Sequence, residues 1–239
     1  MLKAAVQNRT AAFHLERDVI VTRTEPLKNG RFVQVDDTCT FGIDAVLLSE
    51  FARTHPSDRA CDLGTGCGII PLLWYTTEQG PLVDAVDCSH HAVTLCRDSV
   101  EKNRLSHRIT VWEQDWCALS LPTASYDLVT CNPPYFPLGS GKVSEQADRR
   151  LARHETATTL TDVIVAARRL LKVGGHFCLC HRPERLADVF QTLRAQGLEP
   201  KRLQFVHARP DTPPFLFLCD AAKGGGIQLT VLPPHFLER

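Results

Sequence analysis

The chain has 239 residues, 44% of them hydrophobic, which is enough to build the core of one sizeable domain. Its 27 basic and 27 acidic residues give a formal net charge of zero, which argues against a protein that grips long nucleic acid by bulk electrostatics. No signal-like start is present, and no window of about eighteen residues is wholly apolar, so a cytoplasmic protein without membrane contact is expected.

Ten cysteines are present, but several lie within apolar runs, namely Cys61, Cys131, Cys178 and Cys180. Disulfide frameworks are typical of small secreted chains, so most of these thiols are predicted to be reduced core residues. No pair has the Cys-x-x-Cys spacing of a metal site. The sequence therefore predicts no metal centre.

The first forty residues are less regular than the rest. They contain one short strand candidate, Arg31 to Val35, and are followed by an amphipathic helix from Asp44 to Phe51. We interpret residues 1–40 as an N-terminal extension or lid, and residues 41–239 as the main domain.

From residue 59 to residue 232, strand-like apolar runs alternate with segments of helical periodicity, which is the pattern of a doubly wound, Rossmann-like α/β fold. Seven strands are predicted: Arg59 to Leu63, Leu82 to Asp87, Ile109 to Glu113, Tyr126 to Asn132, His176 to His181, Arg202 to His207 and Phe215 to Cys219. Helices are predicted at Ile69 to Thr77, His90 to Asn103, Leu160 to Leu171 and Arg185 to Gln196, on both faces of the sheet.

Two helix ends carry glycines suited to a left-handed C-cap, at Gly174-Gly175 and at Gly197. The last two strands are joined only by Ala208 to Pro214, which is too short for a crossover helix. These strands must therefore pair antiparallel, at the end of an otherwise parallel sheet.

A glycine-rich turn follows the first strand of this region and opens a helix, so its backbone can approach a ligand closely. Its Gly-x-Gly-x-Gly pattern differs from that of dinucleotide sites, and the acid before it would be poorly placed beside a pyrophosphate. A cationic sulfonium with an amino acid tail suits this turn better. The candidate residues are Asp62, Gly64, Thr65, Gly66 and Gly68.

Two further acids follow the next two strands. Asp87 lies 19 residues after Gly68, the spacing at which a carboxylate can accept both hydroxyls of a ribose. Asp115 is placed to accept from the amino group of the cofactor's adenine, with Trp116 as an apolar wall, although an acid after a strand can also be a turn residue or helix cap.

The fourth strand runs into an Asn-Pro-Pro-Tyr loop at the carboxyl end of the sheet, where open α/β folds bind ligands. The prolines remove two backbone donors and leave acceptors, which suits a ligand that donates hydrogens. An exocyclic amine could donate to the asparagine side-chain oxygen and to the first proline carbonyl, while the tyrosine stacks on a base. The candidate catalytic residues are Asn132, Pro133, Pro134 and Tyr135.

The segment from Pro137 to His154 follows this loop directly and ends in a cluster of arginines. We predict that it forms a mobile flap that orders on RNA. A solvated helix with internal ion pairs is the alternative, with the RNA surface elsewhere. The candidate RNA contacts are Arg149, Arg150 and Arg153 on the flap, and Arg182, Lys201 and Arg202 beyond it.

The chain resembles class I S-adenosylmethionine-dependent methyltransferases. From about Phe41 to Pro234 it is similar to the bacterial tRNA(Val) adenine-37 N6-methyltransferase family. The matching stretches are Phe41 to Leu48, Asp62 to Gly66, Gly68 to Pro71, Val129 to Phe136, Ala152 to Glu155, His181 to Leu186, Leu198 to Arg202, Lys223 to Gly225 and Val231 to Pro234.

This resemblance implies a seven-stranded, mostly parallel sheet, S-adenosylmethionine as cofactor and methylation of adenine N6 in a tRNA anticodon loop. The family commonly has glutamate where this chain has Asp87, which keeps a bidentate acceptor of shorter reach. The Asn-Pro-Pro-Tyr motif also occurs in protein-glutamine and ribosomal RNA guanine-N2 methyltransferases. These two activities, and a non-enzymatic cofactor- or RNA-binding module, are the alternatives.

Overall fold

Most strands of the computed structural model, which describes residues 21–77, 79–133 and 160–238, belong to one open sheet. The strands are β1 Arg23–Pro26, β2 Phe32–Val35, β3 Arg59–Leu63, β4 Leu82–Asp87, β5 Ile109–Glu113, β6 Tyr126–Cys131, β7 Leu171–His181, β8 Leu198–His207, β9 Pro214–Lys223, β10 Thr230–Val231 and β11 His235–Phe236. The helices are α1 Ile43–Phe51, α2 Ile69–Leu73, α3 His90–Lys102, α4 Leu160–Leu170 and α5 Leu186–Ala195, with short 3-10 helices at Trp116–Ala118 and Pro183–Arg185.

The large sheet has the strand order β10-β8-β9-β7-β6-β3-β4-β5, and β11 also pairs with β8. Strands β3 to β7 are parallel, whereas β9 runs antiparallel to both β7 and β8. The chain proceeds from β3 outward to β5 and then returns to β6 on the other side of β3. The carboxyl ends of β3 and β6 therefore flank a topological switch point, where open α/β sheets bind ligands.

Helices cover both faces of the sheet, as the sequence predicted. One apolar cluster joins the buried side chains of α1, α2 and α3 to one face, including Leu48 and Leu95. A second cluster joins α4 and α5 to the opposite face, including Ile164 and Leu193. Each face thus removes a helix stripe and a sheet surface from water together.

The predicted antiparallel hairpin is confirmed, since β8 and β9 pair along most of their length. The bounds of β3, β4 and β5 are those predicted. The predicted number of seven strands is corrected to nine in the described part of this sheet, because β10 and β11 add to the edge at β8. Each is two residues long, too short to produce a recognisable alternation of apolar residues.

Helix α2 is shorter than predicted, since it ends at Leu73 rather than Thr77. Carbonyls at its end and just beyond it accept from side chains outside the helix. Asn29 Nδ2 donates to the carbonyl of Leu72 at 2.8 Å, and Arg31 Nε donates to the carbonyl of Tyr75 at 3.0 Å. These donors replace the bonds that a further helical turn would have made.

Of the two predicted glycine caps, one is confirmed. Gly197 follows α5 with a φ of 70°. Gly174 also has a left-handed φ, of 81°, but α4 ends earlier, at Leu170. Leu171 already pairs with Tyr126 of β6, and the next pair is Leu128 with His176. The turn at Gly174 therefore lies in the irregular part of the strand pair between these two positions.

Residues 21–40 do not stand apart from the main domain. Strands β1 and β2 form a hairpin whose Val33 and Val35 are fully buried. The side chains of Ser99 and Asn103 on α3 accept from the backbone of β2 at 2.8 and 2.9 Å. The boundary predicted at residue 40 stays a prediction, as does the role of residues 1–20, which lie outside the described residues.

No helix in the described ranges is long and apolar enough to cross a membrane.

Candidate active site

The predicted site residues follow four neighbouring parallel strands, β5, β4, β3 and β6. Registers such as Leu63 with Val86 and Leu63 with Cys131 place the carboxyl ends of β4, β3 and β6 side by side. The glycine turn, Asp87 and Asn132 each follow one of these ends. The sheet therefore brings them to a single edge.

The glycine turn is tied to the adjacent strand β4. Gly64 N and Thr65 N both donate to the carbonyl of Val86, at 2.8 and 2.9 Å. Gly64, Gly66 and Gly68 have left-handed φ values of 70°, 57° and 84°, which favour glycine. At Gly64 a Cβ would also lie 3.1 Å from Cζ3 of Trp116, so the turn and the tryptophan ring approach closely.

Asp87 is oriented by the turn that it faces. Its Oδ2 accepts from Gly66 N at 2.9 Å, and its Oδ1 accepts from Ser89 N at 2.9 Å. Each carboxylate oxygen has more than one lone pair, so these two bonds do not by themselves prevent either oxygen from accepting a ligand hydroxyl. The half-buried carboxylate is thus held in place and can make the predicted bidentate ribose contact.

Three buried polar atoms around the glycine turn have no hydrogen-bond partner within the described part of the chain: Asp62 Oδ2, Thr65 Oγ1 and Trp116 Nε1. Buried polar groups are rarely left unpaired, and each of these can bond to a polar ligand. No described heavy atom lies within 4 Å of a Cβ built on Gly66, so the turn is open on that side. An acceptor, a hydroxyl and an indole N–H beside an open glycine turn fit a cofactor with amino acid, ribose and adenine groups.

Asp62 is fully buried, and its other oxygen accepts from the hydroxyl of Thr130 at 2.6 Å. Burial raises the pKa of this carboxyl to about 7, because the charged form loses its hydration, while the bond from Thr130 and the nearby hydroxyl of Thr65 act in the opposite direction.

Asp115 lies at the end of β5 with an exposed side chain. Its Oδ1 accepts from Cys117 N at 2.8 Å and caps the 3-10 helix Trp116–Ala118. Asp115 is therefore a helix cap, which was the alternative role considered for it. Its predicted contact with adenine stays a prediction.

Asn132 and Pro133 follow the last residue of β6, while Pro134 and Tyr135 lie outside the described residues. The side-chain oxygen of Asn132 accepts from the thiol of Cys180 on β7 at 3.0 Å. Cys180 could not be recognised as a site residue from the sequence, because its apolar surroundings indicate only a core residue. The pairing of β6 with β7 is what brings the two side chains together.

The predicted RNA contacts have different surroundings. Arg182 is exposed just past the carboxyl end of β7, at the same edge as Asn132. Lys201 donates to the carbonyl of Gly226. Arg202 is paired with Asp220 at 2.7 Å, with its side chain only 18% exposed. Arg149, Arg150, Arg153 and the whole segment from Pro137 to His154 lie outside the described residues.

The ten cysteines are free thiols and seven are buried, which confirms that most are core residues. Among the residues that the structure describes, no three His, Cys, Asp or Glu side chains are grouped so as to hold a metal ion.

A mostly parallel sheet with a terminal antiparallel hairpin, and a glycine turn and acid after its adjacent central strands, defines a class I S-adenosylmethionine-dependent methyltransferase. The family model described as the methyltransferase small domain matches residues 43–195. This range contains every described residue of the glycine turn, Asp87, Asp115 and Asn132.

Relatives with a more specific name cover most of the chain. A tRNA1(Val) (adenine(37)-N6)-methyltransferase of Parabacteroides distasonis is 31% identical over 187 residues, which are 77% of this chain and 78% of the relative. A protein of the same name from Aeromonas salmonicida is 34% identical over 64% of each chain. The chain belongs to the methyltransferase small domain family and to the tRNA1(Val) (adenine(37)-N6)-methyltransferase family.

Solved structures share the fold at lower identity. A predicted O-methyltransferase of Agrobacterium tumefaciens has a TM-score of 0.65 at 23% identity and covers 81% of this chain and 87% of its own. A geranyl diphosphate C-methyltransferase of Streptomyces coelicolor has a TM-score of 0.58 at 13% identity, with 76% and 77% covered. These likenesses confirm the predicted fold class. S-adenosylmethionine is the cofactor of this methyltransferase, as predicted.

Proposed function

We propose that the protein transfers a methyl group from S-adenosylmethionine to the N6 amino group of adenine 37 in a tRNA1(Val)-type anticodon loop. The observation that carries the proposal is the position of Asn132, directly after β6 and beside the glycine turn of β3. The names of the relatives support the substrate. The protein would act in the cytoplasm, where its RNA substrate is found.

Bound S-adenosylmethionine supplies a methyl group on a positively charged sulfur, which is an activated leaving group. The chain's own contribution is to hold the amine. Asn132 Oδ1 and the carbonyl of Pro133 can each accept one of its two hydrogens, which draws the nitrogen from planar toward tetrahedral and directs its lone pair. The N–C bond forms as the S–C bond breaks, and the methylated nitrogen then loses one proton to solvent. No strong base is therefore needed, and orientation supplies most of the acceleration, on the order of 7 to 11 kcal/mol.

An adenine in a single-stranded loop is cheap to turn out compared with one in a duplex. In the proposal, Tyr135 stacks on that base, and Arg149, Arg150 and Arg153 contact the RNA backbone, together with Arg182. Arg182 has a position that supports this role, since it is exposed at the edge that carries Asn132. Arg182, Lys201 and Arg202 all make contacts within the protein, but Lys201 and Arg202 are less exposed than Arg182, so their surroundings favour a role in RNA binding less.

A methyl-transfer assay with tritiated cofactor tests the proposal against its alternatives. Total tRNA, ribosomal RNA, a release factor and buffer are offered separately. The proposal expects label in tRNA above the level of the other three. Label in the release factor would indicate a protein-glutamine methyltransferase, label in ribosomal RNA would indicate a guanine-N2 enzyme, and label in none would indicate a binding module.

A further inference from the structure

Cys180 lies directly beside the amide that the proposed function uses. Its thiol donates to Oδ1 of Asn132 at 3.0 Å, and its side chain is fully buried. Cys180 lies on β7, and it follows Asn132 by 48 residues in the sequence. The contact is therefore tertiary, and it joins the reaction loop to the next strand of the sheet.

Strand register explains this contact. Cys131 of β6 pairs with Leu179 of β7, so the next residue of each strand, Asn132 and Cys180, lies in the same row. The side chain of Cys180 belongs to the apolar cluster that includes Leu216 and Leu218 of β9. The thiol that donates to Asn132 is thus part of a buried, packed layer of the sheet.

A hydrogen-bond donor beside an asparagine amide can determine which way the amide is oriented. The oxygen and the NH2 group have nearly the same shape, so a half-turn of the amide exchanges an acceptor for a donor at the same place. The proposed reaction needs the oxygen, because the amine that is methylated also donates. If the NH2 group faced the amine, two donors would oppose one another.

We propose that Cys180 is a positioning residue, whose S–H bond holds the oxygen of Asn132 in the orientation that accepts the substrate amine. This inference rests on the proposed function. The oxygen has two lone pairs, so accepting from the thiol does not by itself prevent it from accepting from the amine. A thiol is a weak donor, but here the bond has only to favour one of two orientations of equal shape.

Three variants separate this role from simple packing. Cys180→Ala removes the donor and a small volume, whereas Cys180→Ser keeps a donor of similar size. Cys178→Ala is the matched control, because Cys178 is also fully buried, two residues earlier on β7 and in the same apolar cluster. Its register partner on β6 is Thr130 rather than a residue of the reaction loop.

The kinetic measurement is single-turnover methyl transfer to tRNA at saturating cofactor and RNA, with cofactor affinity measured by calorimetry. Cys180→Ala should slow the transfer about tenfold, as loss of one neutral hydrogen bond can, with cofactor affinity unchanged. Cys180→Ser and Cys178→Ala should transfer at close to the parent rate. A Cys180→Ala variant as fast as the parent, or a Cys180→Ser variant as slow as Cys180→Ala, would overturn the positioning role.

A spectroscopic measurement decides the underlying contact without any substrate. The sulfhydryl stretching band of Cys180 is isolated as the infrared difference between the parent and Cys180→Ser. The same difference is then recorded in an Asn132→Ala background, where the band should move to higher frequency because the acceptor is gone. An unmoved band would refute the hydrogen bond. A parent protein that fails to methylate tRNA would instead refute the proposed function, while the band still reports on Cys180.

Discussion

At the scale of single residues, Asp87 has the contact with the clearest expected effect. Its two oxygens are held by backbone N–H groups of the glycine turn and of Ser89, so the carboxylate is preorganised for a diol. Asp87→Ala should weaken S-adenosylmethionine binding by about 2 to 4 kcal/mol, through loss of charged hydrogen bonds to a partly buried ribose. Isothermal titration calorimetry measures this change.

Glu113 offers a matched control for Asp87. It is paired with Asp87 in the strand register, at the end of the neighbouring strand β5, and its side chain contacts His90 at 2.9 Å. Glu113→Ala should therefore leave cofactor affinity nearly unchanged. If both variants bind with the parent affinity, Asp87 does not contact the ribose.

Substitution of Asn132 should impair catalysis without impairing cofactor binding. Its proposed partner is the amine that accepts the methyl group, so Asn132→Ala should lower turnover by at least about a hundredfold and leave cofactor affinity nearly intact. Steady-state turnover and calorimetry on the same preparation check both quantities. A loss of cofactor affinity as large as the loss of activity would make Asn132 a structural residue.

Asp62 predicts a pH dependence of stability. Burial raises its pKa from 3.8 to about 7, so between these values the folded state binds more protons than the unfolded state. The contribution of Asp62 to the free energy of unfolding should therefore be greatest below the lower value and fall as the pH rises through about 7. Asp62→Asn removes this dependence.

Urea denaturation at about pH 5 and about pH 8 checks the sign. Without bound cofactor, the stability of the parent relative to Asp62→Asn should be lower at the higher pH. A difference between the two proteins that is the same at both pH values would contradict the raised pKa.

At the scale of secondary-structure elements, Asp220 connects three strands and a helix. This carboxylate on β9 contacts His176 of β7 at 2.7 Å and Arg202 of β8 at 2.7 Å. Arg202 also donates to the carbonyl of Phe51 at 3.1 Å, at the end of α1. Burial acts to raise the pKa of Asp220, but the bonds and charges of His176 and Arg202 outweigh it and lower the pKa.

Asp220→Ala should lower the free energy of unfolding by about 3 to 5 kcal/mol, because it leaves a largely buried guanidinium without its counter-charge. Urea denaturation measures the loss. Asp211→Ala is the control, since Asp211 pairs with Arg209 on the surface, and its removal should cost less than about 1 kcal/mol. Equal effects of the two substitutions would show that the buried pair contributes no more than an exposed one.

The elements that the sequence predicted best are those with a local signal. Strands β3, β4 and β5 are short apolar runs between turns, and their bounds were predicted without error. Strands β7, β8 and β9 extend further than predicted, because the residues beyond the predicted bounds show no strand-like alternation in the sequence and are held by pairing with neighbouring strands, as Leu171 is with Tyr126 and Ala221 with Phe177. The edge strands β10 and β11 depend on β8 in the same way.

The same difference between local signals and long-range contacts applies to the site. Its glycine turn, its acids and its Asn-Pro loop are local motifs at strand ends, so their common edge could be inferred from parallel topology. The contacts of Asn132 with Cys180 and of Arg202 with Asp220 could not be inferred, because they depend on strand order and register. Arg202 was predicted as an RNA contact from its charge, and that role stays a prediction.

At the scale of the whole molecule, the residues that stabilise the sheet are distinct from those proposed to bind cofactor and substrate. Two apolar layers hold the sheet, and the residues proposed to act on cofactor and substrate follow the ends of adjacent parallel strands. The β1–β2 hairpin packs on α3 and contributes buried side chains to one of these layers. Removal of this hairpin would therefore expose part of the core, whether or not the hairpin also acts as a lid.

The central claim is that adenine 37 of a tRNA1(Val)-type molecule receives the methyl group on N6. The most direct measurement incubates the protein and S-adenosylmethionine with an unmodified transcript of this tRNA, and with a second transcript in which guanine replaces adenine 37. Both are digested to nucleosides and analysed by mass spectrometry. We predict N6-methyladenosine in the first transcript and none in the second. Equal methylation of the two transcripts, or no N6-methyladenosine in either, would contradict the claim.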